Sequence, residues 1–335
     1  MKVAVGLSGG VDSCVTAMLL QKAGYEVCGV TMTLARADED QSLNAARLAA
    51  ERLGVDLKVF DFSGEWKLNV ADYIRDTYLA GLTPNPCVRC NETVKMALLP
   101  RAAFAQGCDL FATGHYAIAE NGRLFRAADR TKDQSYFLYR VDRDILRRTL
   151  FPLGAMTKAE VRGLAREAGL EVADKRDSQD FCGGDAVAMV GAEDREGNIV
   201  DISGRVLGRH RGFWHYTIGK RKGLGIGGGT PYYVVALDAS RNEVVVAFKD
   251  AALVREFEID SLVEFPCALE GELSVKVRSA GEPKGPVRVE KLDDGRARIC
   301  CEEGIVGVAP GQSAVFYKGD EVAGGGIIRR MPAAF

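Results

Sequence analysis

Gly6-Leu7-Ser8-Gly9-Gly10-Val11-Asp12-Ser13 overlaps the end of an apolar run, Val3 to Leu7, and leads into Val15, Met18, Leu19 and Ala23 at helical spacing. The reading is a strand, a glycine-rich turn and a helix that stops at Gly24. Glycines let the backbone turn tightly and aim its N–H groups inward. Ser8, Ser13 and the helix N-terminus add donors, so the loop suits a phosphate. Asp12 would either ligate Mg2+ or cap the helix. The octet lacks the Gly-Lys-Ser or Gly-Lys-Thr ending of a P-loop and lacks Gly-x-Gly-x-x-Gly. Both absences turn the reading away from ordinary ATPases and dinucleotide-binding proteins.

Outward from the loop, strand and helix patterns alternate. Strands are expected at Glu26 to Met32, Val55 to Phe60 and Leu110 to Thr113. Helices are expected over Ser42 to Leu53, over Trp66 to Leu79, and from the proline-rich Thr83-Pro84-Asn85-Pro86 on to about Ala105. Such alternation predicts a parallel sheet covered by helices. A later helix has a capping-box start in Thr157 and Glu160, an apolar face through Val161, Leu164, Ala165 and Ala168, and Gly169 as its stop. It reads as packing rather than chemistry. Beyond residue 198, glycines punctuate short apolar segments such as Tyr232 to Leu237, Glu243 to Phe248, Leu273 to Arg278 and Gln312 to Tyr317. The fold class expected is therefore an α/β N-terminal domain with a parallel sheet, followed by two small β-rich modules. The boundaries read as 1–197, 198–262 and 263–335.

A chain of 335 residues buries enough surface to fold without disulfides or metals. Its 44 basic against 46 acidic residues exclude a protein basic all over, though not a local basic stripe. Such a stripe runs from Arg205 through Arg209, Arg211, Lys220 and Arg221 to Lys222 without an acid, with Phe213, Trp214, His215 and Tyr216 between. Basic groups there would meet phosphates and exposed aromatics would stack on bases, the alternative being a solvated face over a core aromatic cluster. No apolar run is long enough to span a bilayer, and no cleavage signal follows the N-terminus, so no membrane partner and a cytoplasmic location are expected.

Nine cysteines are too sparse for a disulfide scaffold. Six of them, Cys14, Cys28, Cys108, Cys267, Cys300 and Cys301, sit in or beside apolar segments and read as core. Cys87 and Cys90 differ. They form Asn85-Pro86-Cys87-Val88-Arg89-Cys90-Asn91, a Cys-x-x-Cys at a helix start, where the helix N-terminus and Arg89 would favour thiolates. Cys182 stands in another polar, glycine-flanked loop, Asp177 to Gly184.

The phosphate-loop octet resembles the pyrophosphate loop of the N-type ATP pyrophosphatases, which bind ATP and adenylate a carbonyl-type oxygen. With the residues from Gly6 to Ser13, Met32 and Gly114 match positions that contact the nucleotide. Over nearly the whole chain the resemblance is to the bacterial tRNA-specific 2-thiouridylases. It is carried by Thr83 to Pro86, Cys90-Asn91, Thr113-Gly114-His115-Tyr116, Lys132 to Leu138, Asp177-Ser178 with Cys182, Tyr216 to Gly219, Arg221 to Gly228 and Pro310 to Tyr317. The resemblance implies an ATP- and Mg2+-using enzyme that replaces the C2 oxygen of the wobble uridine with sulfur and releases AMP and pyrophosphate. Its partners would be the anticodon loops of lysine, glutamate and glutamine tRNAs. A sulfur donor, such as a cysteine desulfurase, a relay protein or sulfide, is implied as well. Asn85, Pro86 and Cys87 would meet the target base, and His115, Lys132, Asp133, Gln134, Arg278 and Gln312 would touch tRNA. Cys182 would carry a persulfide that Cys90 resolves, leaving a disulfide.

This chain departs from that family pattern in three places. Cys87 stands where many members have aspartate. The stretch Gly183 to Arg205 replaces a longer helical insert, and Ser279 follows Arg278 where tyrosine is common. With Cys87 present, three thiolates (Cys87, Cys90 and Cys182) could instead hold a [4Fe-4S] cluster with one open iron for hydrosulfide, or a zinc ion. The alternatives to a 2-thiouridylase are an amidotransferase-type synthetase, an ATP-dependent thiolase of a different tRNA base, and a non-catalytic RNA-binding iron–sulfur protein.

Overall fold

The computed structural model describes residues 1–36, 39–170, 187–227, 229–267 and 269–329. The chain divides into two compact units, 1–70 with 87–184 and 320–322, and 71–86 with 185–319 and 323–335.

The first unit contains β1 (Lys2–Gly6), β2 (Glu26–Thr33), β3 (Leu57–Asp61), β4 (Leu110–Ala112), β5 (Ala117–Glu120), β6 (Arg123–Arg126) and β7 (Thr149–Leu150). The helices, numbered along the whole chain, are α1 (Val11–Lys22), α2 (Glu39–Leu53), α3 (Ser63–Trp66), α4 (Asp72–Leu79), α5 (Pro86–Cys90), α6 (Leu98–Ala105), α7 (Arg143–Arg147) and α8 (Lys158–Glu167). Five strands form a sheet in the order β3-β2-β1-β4-β7, and every pair is parallel. The expected parallel α/β sheet is thus present. Val3, Ala4 and Val5 of β1 are wholly buried, as a central strand covered on both faces requires. One core packs Val5, Leu7 and Ala17 with Ala50 of α2, and another packs Val15 and Met18 of α1 with Val161 and Ala165 of α8. The capping box that starts α8 is formed as expected.

Two local features differ from the sequence reading. The helical stretch expected from Trp66 begins at Ser63 and passes through a π-helical turn, Lys67–Ala71, before α4. The β5–β6 hairpin was not anticipated. Asn121-Gly122 turns it with φ of 53° and 77°, the two positive values that a two-residue hairpin loop needs.

The second unit holds β8 (Gly197–Asp201), β9 (Val206–His210), β10 (Tyr233–Asp238) and β11 (Glu243–Ala247) as a sheet ordered β10-β11-β8-β9. It also holds β12 (Leu253–Glu264), β13 (Leu273–Lys276), β14 (Lys284–Lys291), β15 (Ala297–Val306), β16 (Ser313–Lys318) and most of β17 (Glu321–Ile328). These run β12-β15-β14-β13-β16-β17, and β12 also pairs with β17. The ring closes around Phe257, Ile259, Val275, Ile299 and Phe316, which leaves no open edge. Two β-rich modules therefore follow the α/β domain, as expected.

Within the basic stripe two of the aromatics are inside. Phe213 and Trp214 are buried, so they are core aromatics rather than stacking platforms. Arg205 pairs with Asp201, Arg209 with Glu196, and both Arg211 and His215 with Asp194. No helix among the described residues is long and apolar enough to cross a membrane.

Candidate active site

The strand order reverses between β1 and β4, and in open parallel sheets ligands bind outside the carboxyl ends of the strands at that switch point. β1 delivers the glycine loop there, and β4 delivers Thr113, Gly114 and His115. Gly10 is the N-cap of α1 with φ −90° and ψ 160°, so the helix N-terminus faces the same end of the sheet. Ser13 Oγ donates to the Gly10 carbonyl (3.0 Å) and accepts from the Ser8 amide (3.3 Å). Gly9 has φ +70°, and a Cβ there would lie 2.4 Å from Ala45 of α2, so the fold itself demands glycine. At Gly10 a Cβ would meet only Ser8 Oγ, at 3.5 Å. That space is open to a ligand. A Cβ on Gly114 would come within 2.8 Å of the Asp12 backbone, so the two crevice loops lie against each other. Met32 is half-buried near the carboxyl end of β2.

The N-cap position of α1 is held by Gly10, and Asp12 lies within the first turn. Its oxygens accept from Lys158 Nζ, at 2.8 Å each, and from the Tyr116 hydroxyl at 2.9 Å. The capping alternative for Asp12 is therefore corrected.

On α5, Cys87 and Cys90 are three residues apart and share a helix face. Cys90 is only 1% exposed, whereas Cys87 is half-buried. The Arg89 guanidinium donates to the Asn69 carbonyl and pairs with Glu92, which also accepts from Arg140 at 2.7 Å. A cation that feels both thiols is Lys95, at the end of the π-helical turn Asn91–Lys95 that continues α5. Burial pushes its pKa down, and negative charge on Cys90 and Cys87 pulls it back up. Lys95 Nζ lies 3.4 Å from His115 Nε2, and His115 Nδ1 lies 2.7 Å from Thr113 Oγ1. An ammonium can only donate, so Nε2 accepts and Nδ1 carries the proton. Burial, helped by the nearby Lys95, holds the His115 pKa well below the usual histidine range, and the ring is neutral.

Cys182 lies outside the described residues, as do Asp177 and Ser178. Two soft thiol donors on one helix turn fit two of the three ligands that a [4Fe-4S] cluster would take here. Among the described residues no group of three His, Cys, Asp or Glu side chains could hold a metal ion.

Other expected tRNA contacts are placed as follows. Asp133 is buried, accepting from the Ala127 and Ser135 amides and the Ser135 hydroxyl and facing Arg126. Gln134 exchanges bonds with Tyr116, its amide giving to the Tyr116 carbonyl and its Oε1 accepting from the Tyr116 amide. Lys132 is half-buried in the same turn. His115 is 5% exposed. In the second unit, Asn85 Nδ2 donates to Gln312 Oε1 (3.2 Å), and Gln312 Nε2 donates to the Pro84 carbonyl (2.7 Å). Pro86 is half-buried and Arg278 is exposed.

The family model described as the tRNA methyl transferase HUP domain matches residues 1–183. The tRNA methyl transferase PRC-barrel domain matches 188–248, and the aminomethyltransferase beta-barrel domain matches 254–328. Among curated relatives, the tRNA-specific 2-thiouridylase MnmA of Trichormus variabilis is 43% identical, covering 98% of this chain and 99% of its own. The tRNA-specific 2-thiouridylase MnmA of Azorhizobium caulinodans is 44% identical, covering 99% and 94%. The chain belongs to the tRNA-specific 2-thiouridylase family. In this family member the sequence reading missed two lysines of the site. Lys95 lies five residues after Cys90 in a segment read only as helix. Lys158 lies directly after the N-cap Thr157, on a helix read only as packing.

Proposed function

We propose that the chain is an ATP-dependent tRNA 2-thiouridylase that replaces the C2 oxygen of the wobble uridine with sulfur. It is an enzyme, a tRNA-uridine 2-sulfurtransferase, as its family membership implies. One observation carries the reading. Gly114 packs on Asp12 of the phosphate loop, and the next residue, His115, meets Lys95 of the thiol-bearing segment. Groups suited to phosphate and groups suited to sulfur thus adjoin at one switch point.

The uridine C2 oxygen attacks the α-phosphorus of ATP, and the bond to the β-phosphate breaks with its electron pair leaving on pyrophosphate. A sulfur nucleophile then attacks C2, and AMP departs with the oxygen. The amides between Gly6 and Ser13, with the N-terminus of α1, hold the phosphates. Asp12 serves Mg2+, and Met32 and Gly114 flank the nucleoside. Asn85, Pro86 and Cys87 meet the base, and His115, Lys132, Asp133, Gln134, Arg278 and Gln312 serve tRNA, directly or by shaping its contacts. Cys87, Cys90 and Cys182 would hold a [4Fe-4S] cluster, which with three protein ligands supplies an open iron for hydrosulfide. Lys95 supplies positive charge beside Cys87 and Cys90. The acceptors are lysine, glutamate and glutamine tRNAs, the sulfur comes from a desulfurase, a relay protein or sulfide, and the compartment is the cytoplasm. The modules divide as 1–197, 198–262 and 263–335.

The test is anaerobic purification with iron and acid-labile sulfide analysis, alongside Cys87→Ala and a thiolation assay with ATP and tRNA. About four irons per chain, lost in Cys87→Ala together with thiolation, is the expected result. An iron-free protein that thiolates tRNA from a persulfide donor would transfer the sulfur to Cys182, with Cys90 resolving it. Absence of ATP-dependent thiolation under every condition would overturn the reading.

A further inference from the structure

Asp12 is the only charged residue between Gly6 and Ser13, and the groups that hold its carboxylate decide how it can serve a cation. Among the described residues there are two, and they act on it differently. Lys158 Nζ lies 2.8 Å from each oxygen, whereas the Tyr116 hydroxyl donates to Oδ1 alone, at 2.9 Å. An ammonium offsets the charge it meets. A phenol is a neutral donor, so its hydrogen bond orients the carboxylate and leaves the negative charge in place. With Tyr116 and Lys158 both on Oδ1, Oδ2 is the less used oxygen of a side chain that remains 31% exposed. A partly solvated carboxylate oxygen is the hard donor that Mg2+ takes, so the residues fit that ion.

Tyr116 is itself held at both ends. Its ring is buried in the cluster that packs Val11 and Val15 of α1 with Val161 and Ala165 of α8, so it rests against the helix whose first turn carries Asp12. Its backbone is clamped by Gln134. The Tyr116 amide donates to Gln134 Oε1 at 2.9 Å, and the Tyr116 carbonyl accepts from the Gln134 amide at 2.8 Å. The neighbouring Asp133 fixes that turn in its place, accepting from the Ala127 and Ser135 amides at 3.1 Å each. A side chain anchored in this way can impose one orientation on the carboxylate that its hydroxyl reaches.

We infer that Tyr116 is a positioning residue for the ATP half of the reaction: its hydroxyl fixes the Asp12 carboxylate for the Mg2+ that accompanies the polyphosphate, and Gln134 fixes Tyr116. This rests on the ATP reading of the loop. It also ties the turn expected to touch tRNA to the phosphate loop through a single side chain.

The test measures equilibrium binding of ATP by the full-length protein without tRNA, once with saturating Mg2+ and once with EDTA. It compares wild type, Tyr116→Phe and Gln134→Ala, with melting temperatures in parallel. Tyr116→Phe removes one oxygen and keeps the ring in its cluster. Loss of a hydrogen bond to a charged group predicts that the gain in ATP affinity brought by Mg2+ shrinks on the order of 10-fold, while binding in EDTA changes less than about twofold. Gln134→Ala removes the acceptor for the Tyr116 amide and should shrink the same gain by roughly 2- to 5-fold. A glutamine that served tRNA alone would leave this tRNA-free binding untouched. Should Tyr116→Phe fail to fold, Gln134→Ala carries the test. Equal Mg2+ gains in wild type and the variants would overturn the inference while leaving the ATP reading intact, as would a wild type whose ATP affinity ignores Mg2+. So would an equal loss of binding with Mg2+ and with EDTA alongside a lowered melting temperature, which marks a purely structural tyrosine. Wild-type protein that bound no ATP in either condition would overturn the ATP reading, and this inference with it.

Discussion

Replacing Gly114 by alanine tests whether the two crevice loops must touch. The new methyl carbon would stand 2.8 Å from the Asp12 carbonyl carbon and 2.9 Å from its Cβ, whereas ordinary contact begins at 3.4 Å. The segments must therefore part by about 0.6 Å. Neither side yields easily, because the 114 side follows directly on β4, whose Phe111 and Ala112 are wholly buried, and the 12 side belongs to the first turn of α1. Overpacking of this kind costs about 1–3 kcal/mol, so the melting temperature should fall by several degrees. Displacements near 1 Å at a reacting centre cost about 100-fold in rate. A shift of this size should therefore lower kcat/KM for ATP by roughly 10-fold, read as pyrophosphate release against ATP concentration with tRNA saturating. The KM for tRNA should move much less. A Gly114→Ala protein with a lowered melting temperature and unchanged kinetics in ATP would refute the argument that this contact sets the nucleotide site.

Other substitutions separate demands of the fold from demands of the ligand. Gly10→Ala meets no obstacle beyond Ser8 Oγ, so it should melt like wild type yet bind ATP at least about 10-fold more weakly, since its methyl enters the phosphate cradle. Gly9→Ala, which collides with Ala45 at a positive φ, should instead lower the melting temperature outright. His115 gives a pH signature. Its folded pKa lies well below 6.5, so below pH 6.5 the unfolded chain takes up a proton that the folded one refuses. Stability should then fall by up to about 1.4 kcal/mol per pH unit as the pH drops, and above pH 6.5 this contribution should be flat. Thermal melts from pH 7.5 to 5.5 should show that slope reduced in His115→Gln, and equal slopes in both proteins would contradict it. Gln312→Ala removes the donor to Pro84 and the acceptor for Asn85, so KM for tRNA should rise several-fold with KM for ATP unchanged.

The parts of this fold that are local in sequence are legible in it. The apolar run of β1, the glycines after it and the spacing of Val15 and Met18 define strand, loop and helix within two dozen residues. The Thr157–Glu160 capping box spans four residues and appears as read. Asn121-Gly122 was an equally local signal, but the flanking strands have only four residues each, too short for alternation to stand out. What stays hidden is long-range. Lys158 is 146 positions from Asp12, and no periodicity connects them. Phe213 and Trp214 read as exposed because arginines surround them, while the acids that pair those arginines, Asp194, Glu196 and Asp201, lie just upstream of the basic window. The Arg89–Glu92 pair could have been foreseen, since Glu92 is three residues on, at the spacing of a helical ion pair.

The charges around the crevice divide by chemical type, and the division follows from what each side chain does well. Arg89 and Arg140 converge on Glu92 from two segments, and a planar guanidinium with fixed donors is suited to such a standing bond. That network braces the segment carrying the thiols. Among the described residues, two cations that face the chemistry are lysines. Lys95 lies against the neutral His115 ring, and negative charge on Cys90 and Cys87 acts on it. Lys158 is balanced by Asp12, a carboxylate that Tyr116 also supports and that remains partly open to solvent. A compact ammonium on a flexible stem can pass from one anion to another without breaking a bidentate geometry. Placing arginine where the scaffold must hold and lysine where partners must change is the arrangement a site needs when its two reactants, a polyphosphate and a sulfur nucleophile, both arrive as anions.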